Sequence, residues 1–159
     1  MIRARRLLAS VLALAVAAAL AGCAGTVSMQ PAGESNDPAC ADVSVALPGT
    51  LDGQARRWTD AQATAAWGDP AAVLFTCGLD PLGPTTLPCQ TVNGVDWVID
   101  ETDAPKYRVT SYGRVPAVEV YLDNDIVASA EVLDALSIVV SRLPADGSTC
   151  VPRESADGS

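Results

Sequence analysis

The run Cys89-Gln90-Thr91-Val92-Asn93-Gly94-Val95-Asp96-Trp97-Val98-Ile99 decides the fold. Asn-Gly suits a two-residue type I′ turn, because both residues tolerate positive φ, and here it separates two β-rich runs. The segment therefore predicts a hairpin. Period-two alternation puts Val95, Trp97 and Ile99 on one face and Asp96, Val98 and Asp100 on the other. A second hairpin is expected from residues 107–112 and 117–122, turned at 113–116. There Val118, Val120 and Leu122 alternate with Glu119 and Tyr121. Residues 72–77 are continuously apolar and read as a central strand covered on both faces. Residues 54–59 read as extended.

Helices stand apart from these strands. Residues 38–47 fit a short helix with Asp37 as cap, Pro38 in the first turn and Pro48-Gly49 as its end. Residues 60–67 read as another, capped by Asp60. The clearest helix spans about 130–143, where Val132, Leu133, Leu136, Val139, Val140 and Leu143 form one apolar stripe. Ser129 is its expected cap and Arg142 suits its last turn. The expected architecture is α+β, a small antiparallel sheet with segregated helices, stapled by two disulfides.

The N-terminal end sets the context. Arg3, Arg5 and Arg6 precede an apolar run over residues 7–20 that ends in Leu20-Ala21-Gly22-Cys23. A basic region, an apolar stretch and small residues at the cut describe a secretory signal peptide over residues 1–22. The run is shorter than the roughly 20 residues needed to span a bilayer. Leu-Ala-Gly-Cys also resembles a bacterial lipobox. The resemblance implies a diacylglyceryl group on the Cys23 thiol and Cys23 as the mature N-terminus; plain secretion is the competing reading. Residues 24–38 are polar and rich in turn formers, so residues 23–38 are expected to be a lipidated cysteine and flexible tether. Such a coil would span about 20 Å. Residues 39–151 form one exported domain, and 152–159 a disordered tail.

Charge and cysteine content narrow the function. Three of the ten Lys and Arg lie in the first 22 residues, which hold no acid. Cleavage before Cys23 thus leaves seven cations against 19 acids, a net charge of −12. That balance argues against nucleic acid as a partner and against electrostatic attachment to anionic lipid. With Cys23 set aside, Cys40, Cys77, Cys89 and Cys150 remain, an even count that implies two disulfides with three possible connectivities. Cys77–Cys89, closing a short Gly/Pro-rich loop, and Cys40–Cys150, tying the first helix to the end of the domain, are the expected pairs. A four-cysteine zinc site would need close Cys-x-x-Cys spacing, which is missing.

The catalytic inventory is thin. The chain has no histidine, which removes Ser-His and Cys-His pairs, and no Gly-rich phosphate loop follows a strand. Carboxylates are the remaining candidates: Asp96, Asp100, Glu101 and Asp103 around one strand, and Asp123 and Asp125 flanking Asn124. A calcium loop would need Gly and Glu at positions this segment fills otherwise. Solvated faces and a turn explain these acids more simply. Trp67 and Trp97 read as core residues. Trp58, beside Arg56-Arg57, is open to either packing or binding. Arg114 is a second possible binding residue, set against an ion pair with Glu119 or another carboxylate. No catalytic residue, metal or cofactor is expected.

The runs Ala66-Trp67-Gly68-Asp69-Pro70, Val92-Asn93-Gly94-Val95-Asp96-Trp97 and Tyr112-Gly113-Arg114-Val115-Pro116-Ala117-Val118-Glu119-Val120, with the lipobox, Cys40-Ala41 and Cys77-Gly78, resemble an actinobacterial lipoprotein family, domain of unknown function 3515. The resemblance implies an exported four-cysteine domain and brings no reaction with it. The expected function is therefore a lipid-anchored extracytoplasmic envelope protein, a non-catalytic binding or accessory module. Its partners would be the cell membrane, through the N-terminal lipid, and an envelope protein or cell-wall ligand. The alternative is an envelope hydrolase using paired carboxylates.

Overall fold

The Asn93-Gly94 hairpin forms as the dipeptide predicts: both residues have positive φ, 47° and 76°, and Val92 pairs with Val95. It joins the last two strands of a larger sheet. The computed structural model describes residues 25–151. The expected signal peptide, Cys23 and the tail 152–159 lie outside the described residues. In order, the elements are α1 (Pro38–Ala46), β1 (Thr50–Leu51), β2 (Gln54–Arg57), β3 (Thr64–Trp67), β4 (Val73–Leu79), β5 (Cys89–Val92), β6 (Val95–Asp100), β7 (Lys106–Tyr112), β8 (Ala117–Asp123) and α2 (Ser129–Val140).

The fold is α+β. All eight strands make one antiparallel sheet of order β1-β2-β3-β4-β8-β7-β6-β5. Two meanders, β1 to β4 and β5 to β8, meet where β4 pairs with β8, Phe75 opposite Val120. Alternation then sorts side chains by face. Val73, Phe75, Val118, Val120, Leu122, Val95 and Trp97 point to the side of α1 and α2 and form the core with Val43, Val132, Leu136 and Val140. Both core tryptophans satisfy their indole N–H. Trp67 donates to Pro48 O at 3.0 Å, and Trp97 donates to Ser137 Oγ at 2.9 Å. An unpaired N–H there would carry a cost of about 1–3 kcal/mol.

Several expectations give way to tertiary context. Residues 60–67 are not a helix. Thr64–Trp67 is a strand buried at every position, held between β2 and β4 where Ala65 and Ala66 leave room for neighbours. Alanine's helix preference is too small to compete with that pairing. Thr64 Oγ1 donates to Ala61 O at 2.6 Å and closes the turn before it. β4 is central, but Leu74 and Thr76 are only half-buried, so its outward face is partly open. Helix α1 is capped by Asp37, which accepts from Ala39 N at 2.8 Å. Helix α2 instead starts at Ala128 without a side-chain cap, because the Ser129 hydroxyl is turned to Asn124 Oδ1. Arg142 falls beyond its end.

The disulfides are Cys40–Cys77 and Cys89–Cys150, not the expected Cys77–Cys89 and Cys40–Cys150. Topology explains the difference. Between β4 and β5 stand β8, β7 and β6, so Cys77 and Cys89 sit four strand spacings apart, about 19 Å. A disulfide requires Cα atoms within about 7 Å. The actual bridges have Cα separations of 5.7 and 5.8 Å; one ties α1 to the sheet centre and the other ties edge strand β5 to the C-terminal segment.

The expected tether is also corrected. From Val27 the chain lies on the sheet: Val27 N donates to Trp58 O at 2.8 Å, Met29 N to Asp60 Oδ1 at 2.8 Å and Glu34 N to Gly78 O at 2.9 Å. Ser35 is buried. This stretch is a strap that belongs to the domain.

Peptide mapping of the unreduced protein should recover Cys40–Cys77 and Cys89–Cys150 cross-links and no Cys77–Cys89 loop. Replacing either pair by Ala should lower stability by roughly 4 kcal/mol in the loop-entropy account, measured by urea unfolding.

Candidate functional site

Strand register builds the site on the face away from the helices. One row across the sheet reads Leu74, Tyr121, Arg108, Asp100, and the next reads Thr76, Glu119, Thr110, Val98, Cys89. The strap crosses above the β4 end of these rows. It can sit so close because Gly78 has no side chain: a Cβ there would lie 2.5 Å from Glu34 C and Ser35 N, at a φ of +105°. Between strap residues 28–33 and the sheet lies a groove of about 770 Å³, lined by Met29, Pro31, Leu74, Thr76, Asp80, Arg108, Glu119 and Tyr121.

The groove floor combines an aromatic ring with a fixed charge pair. Arg108 Nη1 donates to Glu119 Oε1 at 2.6 Å, and its guanidinium stacks 5.1 Å above the Tyr121 ring centroid. Arg108 is held by both contacts, so its remaining N–H groups point in fixed directions. The Thr102 hydroxyl and amide hold the Asp100 carboxyl below the usual carboxylate range, with a smaller contribution from the Arg108 charge. The result is an open-sided, amphipathic surface with preset donors and one aromatic face. It suits recognition of a polar ligand with an apolar part.

A second cavity, about 590 Å³, lies under residues 84–88 against Val98, Tyr112 and the Cys89–Cys150 bridge. A third, about 440 Å³, lies between α2 and the β5–β7 edge. Neither brings opposite charges and an aromatic face together as the strap groove does.

The candidate acids are dispersed. Asp96 and Asp100 stand four residues apart on β6, about 13 Å along the strand. Asp96 Oδ2 accepts from Cys150 N at 2.6 Å, which ties it to the C-terminal segment. Asp123 Oδ1 accepts from Asp125 N, as a turn residue does. Every carboxyl shift resolved among the described residues, at Asp60, Asp100 and Asp146, is downward. Among the described residues, no three Asp, Glu or Cys side chains gather as a metal-binding group.

The family model described as Protein of unknown function (DUF3515) matches residues 4–147, which takes in the apolar run, Cys23 and nearly all of the folded domain. The chain belongs to that family. No curated protein and no solved structure matches it. The family's turn-rich run around residue 114 has a structural explanation in this member. Arg114 does not pair with Glu119, which is taken by Arg108. Its Nη1 donates to Ser141 O and Leu143 O at 3.2 and 3.0 Å, and its Nη2 to Gly94 O at 2.8 Å. The guanidinium closes the C-terminal end of α2 and locks it to the β5–β6 turn, as a cation at a helix C-terminus can. The bound Arg114 is a positioning residue for the fold and lies apart from the groove.

Trp58 is the other residue singled out from sequence, and it is 84% exposed. It follows β2 beside the start of the strap. Arg56 and Arg57 next to it point to opposite faces. Arg56 donates to Ser44 O and Leu47 O at the end of α1, and Arg57 pairs with Asp69 at 2.8 Å. Arg108 and Tyr121 carry no site signal in the sequence, because only strand register brings residues 11 and more positions apart into contact.

Arg114→Ala should lower unfolding stability by roughly 2 kcal/mol, since charge-assisted bonds to three carbonyls are lost, as read by urea titration. Gly78→Ala should detach the strap. The expected outcome is faster proteolysis between residues 28 and 36 and a stability loss of roughly 1–3 kcal/mol.

Proposed function

We propose that this chain is an actinobacterial lipoprotein, held to the outer side of the cell membrane by a diacylglyceryl group on Cys23, that acts as a non-catalytic binding or accessory module. The strap groove is its contact surface, and an envelope protein or cell-wall ligand is its partner. The observation that carries the reading is the Arg108–Glu119–Tyr121 floor under the strap, a preset polar and aromatic surface on the sheet face away from the helices. Two disulfides in a chain that opens with a signal-like segment support an oxidising, extracytoplasmic setting. The acids favour binding over hydrolysis. Carboxylate hydrolases place two carboxyls within about 5–10 Å and raise one pKa. Here Glu119 is committed to Arg108, and Asp100 is pushed down.

Two measurements test the proposal. Mass spectrometry of the mature N-terminal peptide should find Cys23 carrying a diacylglyceryl group; an unmodified Cys23 would remove the anchor. A photocrosslinking side chain placed at Leu74, in the groove, should capture one defined envelope component in intact cells, and one at Ile138, exposed on α2, should not. Tyr121→Ala should abolish the capture at Leu74 without changing the melting temperature by more than a few degrees. Equal capture at both positions, or capture indifferent to Tyr121, contradicts the groove as the contact surface.

A further inference from the structure

The point at which the strap joins the domain determines which part of the surface is held at the membrane. Arg57 Nη2 donates to Gly25 O at 3.1 Å, and Val27 forms a parallel bridge with Thr59. The chain is therefore pinned at Gly25 to Arg57, the residue before the exposed Trp58, and at Val27 to the Trp58 carbonyl. Cys23 is two residues away. Covalent geometry limits that distance to about 7 Å, whatever path the two residues take. A lipid on Cys23 would thus sit within a side chain's length or two of the Trp58 region.

The geometry points to Trp58 as a membrane-contact residue, so that the β2–β3 end of the sheet, with the strap's beginning, rests on the lipid headgroups. This inference rests on the lipid anchor proposed above. The occupant of this patch is a bilayer surface, argued from where the chain leaves the structure. Tryptophan is the side chain best suited to that place, with an apolar ring and one N–H donor for the interfacial region. Charge agrees. The mature chain's net −12 is repelled by an anionic surface, so the domain can approach only through a part with few unpaired acids. Near Trp58, Arg57 neutralises Asp69, and the Asp60 carboxylate is tied to the Met29 amide. The groove lining begins at Ser28, one residue after the Val27–Thr59 bridge, so one end of the groove lies near this patch.

The structure supplies its own reporter. Trp67 and Trp97 are fully buried, so the response of tryptophan emission to solvent quenchers comes from Trp58. The lipidated protein purified from membranes is placed in phosphatidylglycerol–phosphatidylcholine vesicles and compared with a Cys23→Ser chain. The lipidated protein should show blue-shifted emission, acrylamide quenching reduced severalfold, and new quenching by lipids brominated near the headgroup. Trp58→Phe should remove all three changes. Trp58 as accessible to acrylamide on vesicles as in the Cys23→Ser chain overturns the inference, as does shielding that appears only when a second protein is added. The mass of the N-terminal peptide, read on the same sample, separates the two failures. With lipid present and Trp58 still exposed, only the orientation is wrong. Without lipid, the anchor and the orientation fall together.

Discussion

The pairing of β4 with β8 is the joint on which this structure depends. Each meander is held internally by hairpins that close locally, but the two become one sheet through this single antiparallel seam, Val73 opposite Leu122 through Leu79 opposite Ala117. The seam is covered on one side by both helices. On the other side it presents Leu74, Thr76, Glu119 and Tyr121, which make up most of the groove floor. One set of backbone hydrogen bonds therefore lies beneath both the core and the contact surface. The seam also has the longest chain separation of any strand pair here, and long-range pairing of this kind forms late relative to hairpins.

Local chemistry in the sequence was informative where a single contact order decided the outcome. The Asn93-Gly94 turn, the apolar stripe of α2 and the Asp37-Pro38 start of α1 each require only neighbours within a few residues, and each forms where its residues indicate. Thr64–Trp67 is not legible as a strand, because two alanines and a tryptophan carry no period of their own; burial on both sides makes it one. Disulfide connectivity is hidden for the same reason at longer range. Nearness in sequence suggested Cys77 with Cys89, and strand order placed them at the centre and the edge of the sheet.

The groove was less legible than the fold. Its wall has the composition of a flexible tether, which is what residues 23–38 suggest from sequence. What fixes them is backbone hydrogen bonding to Trp58 and Gly78 together with an Asp60 acceptor, and none of these leaves a hydrophobic signature. Its charge pair joins residues on two strands whose register could not be set from alternation alone. Arg114 was visible as an unusual polar residue, but its role as a clamp on carbonyls of a distant helix end depends on how α2 returns across the sheet.

The Cys40–Cys77 bridge has a mechanical consequence. A pull on the N-terminal end of the chain first loads the strap's hydrogen bonds to Arg57, Trp58, Asp60 and Gly78; once these part, it passes to Cys40 and crosses the sulfur link directly into β4, bypassing residues 41–76. Helix α1 beyond its first turn and strands β1 to β3 then carry no tension when the opposite pull is exerted on β4 or β8. With the strap detached, force between the N-terminus and β8 loads the middle of the sheet in shear across the β4–β8 seam, while the early part of the fold hangs beside that path.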